Sequence, residues 1–313
     1  MKAVIIGGAG FIGTNLAIHL ARETEDLITV IDREDYYFNT LKSLNLPRVT
    51  YKAAPFSMDA DFDDQVKGQD VVYHLASTVI PGTSNQNVPA ELEANIIVTA
   101  KLLDACVRQE VKKVVFISSG GAVYGKKGTC PIPEDTVTYP ISSYGIQKLA
   151  IEKLLYLYHY QENLDYRVIR LANPYGPYQR PNGKLGVVTT FVYKALTDGK
   201  LVVYGDGSVV RDFIYIEDAV RAINKIVNGN SDLRIFNLGS GRGTSVNELI
   251  SDIKESIASE LEVEHIATRA ADVPVNYLDI SRYEANYGKL NPVSLKDGIL
   301  KTAQFMKETG MVK

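Results

Sequence analysis

The chain has 313 residues, 45% hydrophobic and 23% charged, enough apolar material for one large domain or a domain with a smaller lobe. Its 34 basic and 37 acidic side chains leave a formal charge of −3, which excludes a broad basic field for nucleic acid or an anionic membrane. Cys106 and Cys130 lack metal-ligand spacing and no apolar run reaches spanning length, so a reducing, cytoplasmic setting without metal or membrane is expected.

The first residues, MKAVIIGGAG, read as a strand followed by a turn rather than as a targeting segment. AVII is a continuous apolar run of the kind buried on both faces of a parallel sheet, and GGAGFIG leads from it into the amphipathic stretch TNLAIHLARE. Gly7, Gly10 and Gly13 carry the dinucleotide-binding spacing: a tight turn, a close backbone approach to a pyrophosphate, and close helix–strand packing. Phe11 and Ile12 lie between the last two glycines, where a helix start presents free N–H groups to phosphate. The second apolar run, LITVID, ends in Asp32, nineteen residues after Gly13, where a carboxylate meets adenosine ribose hydroxyls and repels the extra phosphate of NADP. NAD is therefore the expected cofactor, with Arg33 beside Asp32 as a competing influence.

Further strands follow at VTYKAA, DVVYHLAS, VKKVVFISS and YRVIRLAN, separated by helical patterns such as ELEANIIVTAKLLDACVRQE. This βαβ rhythm predicts an α/β fold, a doubly wound parallel sheet of the Rossmann type with a smaller C-terminal substrate-binding lobe. The expected division is 1–172 for the NAD-binding domain and 173–313 for the lobe, with a strand near 234–240 returning to the main sheet. Ligand is expected at the carboxyl ends of the strands, around Leu75, Ala76, Ser118, Ser119 and Asn173.

Tyr144 and Lys148 stand four apart at the start of SSYGIQKLAIEKLLYLYH, which places both on one helix face. A lysine ammonium beside a phenol favours the phenolate, the form that serves as a base near neutral pH.

GGAGFIG, HLAS, SSGGAVYG, YGIQK, RLANPYGP and GDGSVVRDFIYIEDAV together resemble the extended short-chain dehydrogenase/reductase family, and within it the nucleotide-sugar epimerases related to UDP-glucose 4-epimerase. The resemblance implies Tyr144 as catalytic acid/base and Lys148 as the group that holds the nicotinamide ribose and tunes Tyr144. It adds Ser77 and Asn95 to the cofactor set. For a UDP-sugar it implies Asn173, Val187, Tyr204, Arg211, Arg269, Asp272 and Asn276, with Arg211 and Arg269 suited to a diphosphate and Asn276 beside the sugar's second carbon. It also implies a homodimer through helices near residues 91 to 109 and 144 to 160.

The chain departs from the family pattern at one chemically telling place. The hydroxyl that bonds the reacting sugar falls on Gly120, so Ser119 or a water in the vacated space is expected to replace it. Reaching the cleft from Ser119 is expected to need a distorted backbone at Gly120 and Gly121. Gly121 and Ala122 stand where related dehydratases carry an acid pair, which disfavours dehydration. Pro55 replaces an adenine-side acid, leaving Phe56 to pack the ring, and Gly186 replaces a pocket Asn. The expected activity is epimerisation at the 4-position of a UDP-hexose or UDP-N-acetylhexosamine, with a nucleotide-sugar reductase or dehydratase, or a silent NAD-binding regulator, as alternatives.

Overall fold

The computed structural model describes residues 1–126, 129–181, 186–257, 260–267 and 273–312. Six successive strands, β1 (Lys2–Ile6), β2 (Leu27–Asp32), β3 (Val49–Ala53), β4 (Val71–His74), β5 (Lys113–Ser119) and β6 (Asp165–Leu171), join the strand Ile235–Leu238 in one parallel sheet. Their spatial order is Ile235–Leu238, β6, β5, β4, β1, β2, β3. The chain reverses its direction of travel between β1 and β4, which opens a crevice at their carboxyl ends.

The two-residue period of a strand explains how β1 serves both faces. Ala3 and Ile5 pack with Leu16 and Leu20 of the helix Phe11–Glu23 and with Ile223 and Ile226 of the helix Ile216–Asn228. Val4 and Ile6 pack on the other face with Leu102 and Leu103 of Val98–Arg108 and with Ile151 and Leu155 of Ser143–Glu162. Each of these valine, leucine and isoleucine side chains, fully removed from water, contributes about 1.5–3 kcal/mol before entropy is charged against it.

Beyond Asn173 the chain divides its work. The helices Val187–Leu196, Val246–Ile257 and Leu295–Glu308 enclose a separate core around Phe191, Val192, Leu249, Ile253, Ile299 and Met306. Ile216–Asn228 and Ile235–Leu238 instead return to the main sheet, the strand pairing in parallel with β6.

The helical stretch expected from residue 91 onward is not one regular helix. It opens at Val88–Leu92, widens to a π-helical turn at Glu93–Ile97 and continues as Val98–Arg108. Asn95 explains the irregularity: its Nδ2 donates to the Glu91 carbonyl at 2.9 Å, competing with the α-helical ladder. No helix among the described residues is long and apolar enough to cross a membrane, and they contain no cluster of His, Cys, Asp or Glu suited to a metal.

Candidate active site

One cavity of about 750 Å³ runs along the carboxyl edge of the sheet from the glycine turn to the start of the lobe. At its first end the helix Phe11–Glu23 begins at Gly10 without a side-chain cap, so its leading N–H groups face the cavity. Gly13 is required by packing, since a Cβ there would fall 2.5 Å from the Gly8 backbone. The same construction at Gly10 meets no protein atom closer than 3.6 Å, which leaves backbone open to a pyrophosphate. Asp32 holds the turn: one carboxylate oxygen accepts from Ala9 N at 3.0 Å and the other from Arg33 N at 2.9 Å. Arg33 is drawn sideways, with Nη2 2.5 Å from the Tyr37 hydroxyl and its guanidinium 4.9 Å from that ring's centre. Pro55 and Phe56 line the wall beside them, and Leu75, Ala76 and Ser77 continue it past the end of β4. These residues fit an NAD molecule: an uncapped helix start for pyrophosphate, a carboxylate for ribose, and an apolar wall for adenine.

Asn95 does not line the cavity. It is buried, and its amide accepts from Thr78 N at 2.9 Å and donates to Thr78 Oγ1 at 2.7 Å. Its part is to anchor the loop after β4, whose residues Thr78, Val79, Ile80 and Pro81 do line the cavity. Glu91 anchors the far end of that loop by accepting from the N–H groups of Asn85, Gln86 and Asn87.

Tyr144 and Lys148 face the cavity from the first turns of Ser143–Glu162, a helix capped by Ser142 Oγ accepting from Gly145 N at 3.1 Å. Lys148 Nζ donates to the Ile117 carbonyl at 2.9 Å and lies 5.6 Å from the centre of the Tyr144 ring. Burial dominates both groups: it pushes Tyr144 up to about 12, opposed by a hydrogen bond with Ser119, and pulls Lys148 down to about 8, opposed by Glu152. In the protein without cofactor, burial and Ser119 govern the Tyr144 phenol.

Ser119 and Ser118 part company at the end of β5. Both line the cavity, but Ser119 stands beside the Tyr144 phenol and favours its ionised form, while Ser118 Oγ donates to Glu152 Oε1 at 2.6 Å. No distortion is needed: Ser119 keeps its strand register opposite Leu171, and neither Gly120 nor Gly121 adopts a positive φ. The space expected for a water at Gly120 is filled by Leu278, whose Cδ1 would lie 2.5 Å from an added Cβ.

At the lobe end, Asn173, Val187 and Gly186 line the cavity together with Tyr175, Gln179 and Phe213. Asn173 Nδ2 donates to the Asp212 carbonyl at 2.9 Å. Arg211, Tyr204 and Asn276 do not line this cavity. Arg211 Nη1 donates to the carbonyls of Val210 and Val273, at 2.9 and 2.7 Å, and Tyr204 is exposed at the end of Lys200–Tyr204. Asn276 is buried, with Nδ2 donating to the Gly120 carbonyl at 3.3 Å. Arg269 and Asp272 lie outside the described residues.

Residues 3–239 match the NAD dependent epimerase/dehydratase family. A UDP-glucose 4-epimerase of Mycolicibacterium smegmatis is 32% identical over 98% of this chain and 99% of its own. The crystal structure of UDP-glucose 4-epimerase with UDP-glucose from Thermotoga maritima superposes with a TM-score of 0.90 at 31% identity, covering 99% of both chains. A UDP-N-acetylglucosamine 4-epimerase from Methanobrevibacter ruminantium M1, in complex with UDP-N-acetylmuramic acid, gives a TM-score of 0.88 at 29% identity, covering 98% of both. With the glycine turn, the Asp32 carboxylate and the Ser119, Tyr144 and Lys148 cluster in one cleft, the chain belongs to the NAD-dependent epimerase/dehydratase family.

Proposed function

We propose that the protein interconverts UDP-hexoses at the 4-position, and UDP-N-acetylhexosamines with them, through a transient 4-keto sugar. The observation that carries this reading is the placement of Ser119, Tyr144 and Lys148 together at one cavity wall, with Gly121 and Ala122 following instead of an acid pair. NAD, when bound, supplies the hydride acceptor and a cationic ring. Tyr144 Oη takes the proton of the sugar 4-hydroxyl and returns it after the ketone has turned its other face. Ser119 shares its hydroxyl between Tyr144 and the sugar oxygen, holding the reacting group within proton-transfer distance. Lys148 offers its ammonium to the cofactor ribose and favours the phenolate. Asn173 and the lobe residues Val187 and Gln179 confine the sugar, and Arg211 is proposed as a diphosphate contact, as is Arg269, with Asp272 as a nucleoside contact, the last two lying outside the described residues.

The relatives' names support a UDP-sugar, and the balance of Gly121 and Ala122 weighs against dehydration. Two free thiols, Cys106 and Cys130, suit work in a reducing cytoplasm. Incubation of the purified protein with UDP-glucose, UDP-galactose, their N-acetylamino analogues, UDP-glucuronate and matching dTDP- and GDP-sugars tests the reading. Inversion at C4 of the neutral UDP-sugars is expected. Net reduction or loss of water would overturn it.

A further inference from the structure

The sequence places Glu152 one helical turn beyond Lys148, on the helix face that already carries Tyr144 and Lys148. Here both Glu152 and Arg170, its partner from β6, are buried. Arg170 Nη2 reaches Glu152 Oε2 at 2.7 Å and Nε lies 3.2 Å from both oxygens, while Ser118 Oγ donates to Oε1 at 2.6 Å. Arg170 is itself fixed: Nη1 donates to the Tyr124 hydroxyl at 2.9 Å and the Glu134 carbonyl at 3.0 Å. A buried ion pair is expensive to form and is weak evidence for stability alone, so its position calls for another explanation.

We propose that Glu152 is a positioning residue for the epimerase reaction argued above: its carboxylate, locked by Arg170 and Ser118 behind Lys148, keeps that side chain an ammonium directed at the cleft. The other groups around Lys148 do not supply this charge. Tyr144, on the same helix, has its phenol raised by burial; His74, from β4, is pulled down to about 3 by burial and stays neutral; β5 contributes only the Ile117 carbonyl and the Phe116 ring. Arg170, from β6, is cationic and would repel Lys148 without Glu152. Burial works against the Arg170 charge, but its bonds to Glu152 hold it firmly protonated. Glu152 is accordingly the anion that opposes desolvation of Lys148.

The sign of the effect follows. An ammonium is present below the lysine pKa and lost above it, so activity that needs it falls on an alkaline limb. Removing the carboxylate moves that limb to lower pH, by about 1–3 units for a close buried charge. The test compares wild type with Glu152→Gln and with Glu152→Gln/Arg170→Met, which leaves no lone buried arginine. In the NAD-free proteins, pH-dependent acylation of Lys148 read by peptide mass spectrometry reports the free amine directly. Its midpoint should fall in Glu152→Gln, recover part-way in the double variant, and be matched by the alkaline limb of turnover. An unchanged midpoint in Glu152→Gln that retains its thermal transition would overturn the proposal. If Glu152→Gln does not fold, a double-variant midpoint at or above the wild-type value overturns it instead. The acylation readout needs no epimerase activity, so failure of the proposed function and failure of this inference are separable.

Discussion

Leu278 fills the space in front of Gly120, with its Cδ1 where a side chain at 120 would have to begin. The turn after β5 is thereby closed from the C-terminal segment, and Asn276 adds a hydrogen bond to the Gly120 carbonyl. Gly120→Ser should not restore a family-like hydroxyl. It should destabilise the protein by about 1–3 kcal/mol through overpacking. Leu278→Ala in the same chain should recover part of that loss, because it removes the obstructing methyl groups. Urea unfolding of the two variants checks both statements, and a Gly120→Ser protein as stable as wild type refutes the packing argument.

Ser119 carries the hydroxyl at this site, and its bond with Tyr144 is the influence that opposes burial of the phenol. Tyr144→Phe should keep NAD and sugar binding yet lose turnover by at least ~100-fold, the scale of a positioned acid/base. Ser119→Ala should retain Tyr144 but raise its pKa further. A base acts above its pKa, so the acidic limb of the pH–rate profile should move to higher pH. Steady-state rates between pH 6 and 10 check this; an unmoved limb with normal turnover excludes Ser119.

Cofactor choice rests on Asp32, with Arg33 engaged by Tyr37 rather than projecting free. Stripped protein should bind NAD more tightly than NADP by at least about tenfold, or about 1.4 kcal/mol. Asp32→Ala should narrow the gap, and adding Tyr37→Ala should narrow it again by releasing the guanidinium to a 2′-phosphate. Titration of both dinucleotides decides the matter. Equal affinities in wild type give Arg33 the deciding role.

The sheet was legible in sequence because its strands are apolar on both faces, and a run such as KVVFIS admits few other structures. The glycine turn and the Tyr144–Lys148 pair were legible because local spacing determines their geometry. What stayed hidden depends on chain segments far apart in sequence. Nothing near Gly120 announces Leu278, and nothing near Asn95 announces Thr78. Nothing near Glu152 in the sequence announces Arg170, which β6 brings to the helix Ser143–Glu162. Asn276 is a further instance: nothing near it in the sequence announces the hydrogen bond from its amide to the Gly120 carbonyl.

The outer face of Ser143–Glu162 remains to be covered. Tyr156 and Tyr160, four apart, are 58% and 79% exposed, and Leu157 and Ile97 are also exposed. One face of each helix already covers the sheet through Leu102, Leu103, Ile151 and Leu155, so this second apolar stripe is surplus to the monomer's core. A homodimer that apposes these helices with those of a second copy would bury it, and aromatic side chains are suited to an interface centre. Sedimentation at micromolar concentration should therefore give a dimer. Replacing Tyr156 and Tyr160 with aspartate should yield a folded monomer, since two like charges on each copy would face each other across the two-fold axis. The NAD cleft opens at the carboxyl edge of the sheet rather than on this stripe, so that monomer should retain dinucleotide binding. A wild-type monomer, or a dimer unaffected by the double substitution, would remove this surface from consideration.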